Sequence, residues 1–294
     1  MITSVPAIEG LQELHIWGCD SLTSVPVIEG LQILGIYNCD SLTFVPVIEG
    51  LKELYLYNCD LVISVPVVEG LQKLSIWGCD SITFVSIIEG LKYLRIECSY
   101  ITSVPVIEGL QKLHIESCDS VISVPDIEGL QELHIRGCDS IICIPVIEGL
   151  QELHIWDCDS LISVPVIEGL QKLYISYCDL ITYVPVIGGL QKLYIWYCDS
   201  VTSVPVIEGL KKIRVYRCKW LDISDIQRGS VLKLQQRMKQ KARLKMFKKY
   251  VRSREFCEWF YSPDEFGGQA SKRSIGSFIQ KVVDEQQDSK RQKV

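Results

Sequence analysis

The chain of 294 residues is 48% apolar and 22% charged, a composition that excludes a disordered polymer. It has no run of about eighteen apolar residues, which excludes a membrane-spanning helix, and no basic stretch followed by an apolar core near Met1, so no secretory signal is visible. The net charge of −6 is unevenly divided: residues 1–218 carry 12 basic and 27 acidic side chains (−15), whereas residues 219–294 carry 18 and 9 (+9).

From the N-terminus the chain repeats itself. Gly-Leu recurs with its leucine at Leu11, Leu31, Leu51, Leu71, Leu91, Leu110, Leu130, Leu150, Leu170, Leu190 and Leu210. The spacing is twenty residues except between Leu91 and Leu110, where one residue is missing between Ile96 and Cys98. Counting the leucine as position one, each unit reads Leu-x-x-Leu-x-Ile-x-x-Cys-Asp-Ser-Leu-x-x-Val-Pro-x-Ile-Glu-Gly. The step from Leu11 to Leu14 and then to Ile16 predicts a turn leading into a strand with alternating faces. A short strand returning every twenty residues can pair only with its copies, which predicts a parallel sheet wound into a solenoid.

The remainder of each unit must return outside that sheet. Proline, which lacks an amide hydrogen and pushes its predecessor into an extended form, fills position sixteen in ten of eleven passes, Ser86 being the exception. An extended return is therefore expected, with Gly30 and its copies turning the chain into the next strand. Positions one, four, six, nine, twelve, fifteen and eighteen stay apolar and are the expected core. Position nine is a column of cysteines from Cys19 to Cys218. No Cys-x-x-Cys pairing suggests zinc, so buried free thiols are expected, donating weakly to loop carbonyls, and with them a reducing, intracellular compartment. The glutamate and aspartate columns at the turns are read as solvated turn chemistry, since a calcium ladder needs convergent oxygens and a glycine-rich loop.

This pattern resembles the leucine-rich repeat family, whose signature runs Leu-x-x-Leu-x-Leu-x-x-Asn/Cys, over residues 1–221. The resemblance implies an α/β solenoid dominated by parallel β structure, curved and right-handed, with strands on the concave side and an extended convex side. The cysteine variant followed by Leu and Pro is similar to repeats of plant disease-resistance receptors, and the twenty-residue length to short repeats of secreted bacterial effectors. The chain lacks the phosphate-binding Gly-x-x-x-x-Gly-Lys-Ser/Thr loop, so no nucleotide switch is expected. The segment after the repeats is too short for the effectors' ubiquitin-ligase domain, and Cys257-Glu258-Trp259 lacks its Cys-x-Asp context.

Strand positions three, five and seven point away from the core. Position five reads His15, Gly35, Tyr55, Ser75, Arg95, His114, His134, His154, Tyr174, Tyr194 and Arg214. Position seven reads Trp17, Tyr37, Tyr57, Trp77, Glu97, Glu116, Arg136, Trp156, Ser176, Trp196 and Tyr216. The core columns barely change between copies while these two vary in size and charge, as expected of a fixed scaffold presenting a varied surface. Aromatic side chains give large contact area at low entropic cost, so a protein partner is expected on this face. Stacking of rings on neighbouring copies is the blander role, and both can hold together. Zinc held by His114, His134 and His154, and glycosidase chemistry by Glu97 and Glu116, are considered and set aside. Catalytic residues, a resident metal and cofactors are not expected.

After Cys218 the periodicity fails. Eleven basic residues and no acid lie between Arg228 and Arg254, with Val231, Leu234, Met238, Ala242 and Met246 at helical spacing. A basic amphipathic helical extension is expected over 222–283, followed by a polar, disordered tail over 284–294. Its apolar stripe could cap the solenoid. Its basic face (Arg237, Lys241, Arg243, Lys245, Lys248, Lys249 and Arg252) could instead bind nucleic acid or an anionic membrane, the alternative function. Glu258-Trp259-Phe260-Tyr261, Pro263, Gly267-Gly268 and Lys272-Arg273 resemble C-terminal extensions of repeat proteins encoded by giant DNA viruses.

Overall fold

Leu-x-Ile in each unit places two apolar side chains on one side of an extended segment, and each such segment forms a five-residue strand in a computed structural model of the chain. The structure describes residues 3–202, 204–218 and 244. The strands are β1 (Glu13–Trp17), β2 (Ile33–Tyr37), β3 (Glu53–Tyr57), β4 (Lys73–Trp77), β5 (Tyr93–Glu97), β6 (Lys112–Glu116), β7 (Glu132–Arg136), β8 (Glu152–Trp156), β9 (Lys172–Ser176), β10 (Lys192–Trp196) and β11 (Lys212–Tyr216). They form one eleven-stranded parallel sheet in sequence order. Each position faces its own copy, Leu34 against Leu54 and Ile36 against Leu56, so the columns of the sequence become rows of side chains. The twenty-residue repeats therefore build a parallel β-solenoid.

Two turns close each coil. In the first, Leu31 N–H donates to the Ile28 carbonyl at 3.3 Å with Gly30 at φ 81°. This is the third place of a four-residue turn, where positive φ favours glycine. In the second, Leu22 N–H donates to the Cys19 carbonyl at 2.9 Å. Between strand and cysteine, position eight also adopts positive φ, as in Gly18, Asn38 and Asn58. Its amide continues the ladder: Gly18 N–H donates to the Tyr37 carbonyl at 2.9 Å. The residue missing from the short unit is this left-handed one. Glu97 runs straight into Cys98, and β5 pairs with β6 over four residues where its neighbours pair over five.

The expected core columns are buried from the second unit onward, half-buried Ile213 of the last strand excepted: Leu54, Leu56, Cys59, Val62 and Leu71 have no exposed surface. In the first unit Leu11, Leu14 and Cys19 are half-buried, because no described coil stacks beyond it. Among the described residues the cysteines are free, and those at position nine are buried from Cys39 to Cys218, while Cys143 on the return segment is exposed. Cys79 Sγ donates to the Trp77 carbonyl of its own coil at 3.5 Å and to the Leu56 carbonyl of the preceding one at 3.6 Å. Burial pushes the Cys98 thiol up to about 12 and that of Cys118 to about 11.

The return segments hold neither helix nor ladder strand, and scattered bonds join them between coils, such as Thr202 N–H to the Thr182 carbonyl at 2.9 Å. They present an apolar column that the periodicity left unassigned: Val47, Val67, Ile87, Val146, Val166 and Val186 at position seventeen are all exposed. Leu244 is helical, and no other described residue lies in a helix. The solenoid is thus a parallel β structure, without the helical component of an α/β label. The chain divides into two units, Met1–Arg228 and Gly229–Val294. The extension expected over 222–283 and the tail over 284–294 lie outside the described residues, Leu244 excepted.

Candidate functional site: the open face of the sheet

Alternation along each strand decides what this face contains. In β3 the side chains of Leu54 and Leu56 go inward, and Glu53, Tyr55 and Tyr57 are left on the other side, half-buried. Parallel strands lie about 4.8 Å apart, so large side chains in one column must stack or stagger. Position seven stands proud of the sheet: Trp17 is 63% exposed, Trp77 42%, Trp156 45% and Trp196 38%, with Tyr216 also exposed. Position five lies lower. Its rings form a continuous stack across β6 to β10: His114 on His134 at 4.0 Å between centroids, His134 on His154 at 3.9 Å, His154 on Tyr174 at 4.0 Å and Tyr174 on Tyr194 at 4.7 Å. Tyr194 is buried by this packing.

The N-terminal half is arranged differently. Tyr37 stacks flat on Trp17 at 3.6 Å and fills the gap left by Gly35, whose missing side chain would otherwise meet the His15 and Tyr37 rings. Tyr37 is consequently buried, although the tryptophans of its column are exposed. Tyr57 meets Tyr37, Tyr55 and Trp77 edge-on, and Tyr57 Oη lies 3.1 Å from Ser75 Oγ. Arg136 lies over the Trp156 ring at 5.1 Å. Of the sixteen expected contact residues, those at position seven are therefore mostly offered outward, and those at position five mostly support one another.

Charges are organised in pairs across neighbouring strands. Arg95 donates to both Glu97 at 3.2 Å and Glu116 at 3.1 Å, so the two carboxylates set aside as a glycosidase pair share one guanidinium. Lys112 pairs with Glu132 at 2.7 Å, and Lys172 with Glu152. His154 Nε2 meets Glu152 Oε1 at 2.7 Å. The three histidines weighed for zinc do not converge together. Instead His114, Glu132 and His134 bring one ligand atom each within 4.8 Å of one another, the one such group of three among the described residues. Burial and then the His114 and His154 rings bring His134 down to about 4, against the pull of Glu132 and Glu152. Burial likewise lowers His114. Burial works to raise Glu132, yet Lys112 and the two histidines hold it below the usual carboxylate range.

Several residues of this face were not singled out in the sequence. Glu132 and Glu152 at position three carry the ion pairs, and the recurring Glu-Leu-His of 132–134 and 152–154 was their available signal, since residues two apart share a face. Tyr177 and Tyr197, stacked at 4.5 Å, sit at position eight, where no periodicity marks them. The basic residues Arg237, Lys241, Arg243, Lys245, Lys248, Lys249 and Arg252 lie outside the described residues.

Fold and site together define a β-solenoid repeat protein with an aromatic, charge-paired open sheet face. Compared with protein-family models and with curated proteins, the chain matches none. Among the described residues no helix is long and apolar enough to cross a membrane.

Proposed function

We propose that the chain is a leucine-rich repeat protein, not an enzyme, and that it binds a protein partner through the open face of its sheet. The observation that carries this reading is the column of outward aromatic side chains, Trp17, Trp77, Trp156, Trp196 and Tyr216, on a sheet whose core columns hardly vary. Tryptophan and tyrosine are enriched among binding hot spots. Supporting it, Trp17 is stacked on Tyr37 and Trp156 lies under Arg136, contacts that reduce the side-chain ordering binding would require. The sharing of Glu97 and Glu116 by Arg95 argues against a free acid and nucleophile pair. The buried column of unpaired thiols fits a reducing compartment.

A pull-down compares the full chain, a chain ending at Cys218 and the full chain with Trp17, Trp77, Trp156 and Trp196 changed to Ala. Capture is expected to survive the truncation and to be lost with the four substitutions. Each hot-spot tryptophan contributes about 2 kcal/mol or more, roughly thirty-fold in affinity. Salt-sensitive binding to polyanions that vanishes on truncation would instead assign the function to the basic segment and an anionic partner.

A further inference from the structure

We propose that His114, Glu132 and His134 form a binding site for a zinc-class divalent metal ion on the open face. Adjacent parallel strands supply the donors: β6 carries His114, and β7 carries Glu132 and His134 two residues apart on one side. His114 Nε2 lies 3.5 Å and His134 Nε2 2.9 Å from the same oxygen, Glu132 Oε1. Both nitrogens are buried, and neither makes an aligned hydrogen bond. Two stacked imidazoles thus bring their Nε2 atoms beside one carboxylate oxygen without an aligned hydrogen bond to it, a nitrogen-and-oxygen donor set gathered at one place.

The surroundings prepare each ligand. Lys112 holds the other oxygen of Glu132 at 2.7 Å, which leaves Oε1 for the ion. The far ring nitrogen of His114, Nδ1, stands 3.4 Å from Tyr93 Oη and 4.0 Å from Glu116 Oε1. A ring that gives its Nδ1 proton to such a partner presents its Nε2 lone pair, the usual outer-shell arrangement behind a ligating histidine. Zinc–nitrogen bonds are about 2.0–2.1 Å, so donors on opposite sides of one ion stand at most about 4.2 Å apart. The ligand atoms lie within 4.8 Å of one another, but the His114 and His134 rings are parallel to within 3°, so both rings turn out of their stack to aim their lone pairs at one ion. Two nitrogens and a carboxylate are borderline donors that suit zinc over calcium or magnesium, whose ligands are oxygens. Three protein ligands leave a fourth position for water or for a partner's side chain.

The full chain is titrated with zinc by calorimetry and with cobalt by visible absorption. One zinc equivalent is expected to bind, with a tetrahedral cobalt spectrum that lacks a thiolate charge-transfer band. His114→Ala and His134→Ala should each weaken binding more than about ten-fold, the loss that outer-shell changes alone can produce, while His15→Ala leaves it unchanged. No binding by the full chain, a thiolate band, or affinity in either variant unchanged from that of the full chain overturns the proposal. Should the variants fail to fold, diethyl pyrocarbonate footprinting of the unaltered chain decides. Zinc should shield His114 and His134 but not His15, and equal modification with and without zinc overturns the site.

Discussion

At the residue scale the backbone asks most of position eight, where the chain leaves the sheet with φ near 50–60°: Asn58 at 51°, Asp157 at 57° and Tyr177 at 53°. This left-handed conformation costs an ordinary side chain about 1–2 kcal/mol, and Asn tolerates it because its short amide finds local partners. Asn58 Nδ2 donates to Asn38 Oδ1 in the neighbouring coil at 2.7 Å. Asn58→Val should therefore destabilise the solenoid by about 1–2 kcal/mol, while Asn58→Gly, which relieves the backbone and loses one exposed hydrogen bond, should be nearly neutral. Urea midpoints at unchanged m-value check this, and equal midpoints for the two variants would contradict it. Part of this turn was legible, since Gly18, Asn38, Asn58, Gly78, Gly137 and Asp157 are the residues that accept positive φ. The rest was not: Tyr177, Tyr197 and Arg217 adopt the same φ only because their neighbours in the array do.

At the scale of the strand and its turn, the interior was legible because burial repeats with the letters, as Leu54, Leu74 and Leu94 show. The open face was less so. Whether a ring at position five or seven is offered or covered depends on its neighbours, so Tyr37 is buried beside Gly35 while Trp17, stacked on Tyr37, keeps its outer face exposed. Nor could spacing alone show that the residue missing after Glu97 is the left-handed one. Its loss shortens the β5–β6 pairing by one residue while Arg95 holds Glu97 and Glu116 together. Inserting one glycine between Glu97 and Cys98 restores the twenty-residue unit and the missing ladder amide. The insertion should be neutral to stabilising by up to about 1 kcal/mol, the net value of one backbone hydrogen bond. Denaturant unfolding of the inserted chain measures it, and a loss greater than about 1 kcal/mol would mean that the short unit is itself required by the packing.

At the scale of the whole array, each strand is hydrogen-bonded only to the strands before and after it. Stability then sums over coils and the interfaces between them, and in the described sheet distant strands are joined only through the strands between. Removing residues 150–169, one full unit, joins Gly149 to Leu170 and sets β7 beside β9 with every position still facing its own letter: Leu133 on Leu173, His134 on Tyr174, Cys138 on Cys178. Removing only 150–159 leaves half a coil, which aligns polar turn residues with core columns and exposes apolar side chains. The twenty-residue deletion should fold to the same β-rich circular dichroism with a modestly lower unfolding midpoint. The ten-residue deletion should lose cooperativity or aggregate. It follows too that the first deletion keeps His114, Glu132 and His134 and so keeps zinc binding, while it removes Trp156 from the outward aromatic column. If both deletions proved equally damaging, neighbour-only coupling would be the wrong description of how these coils hold together.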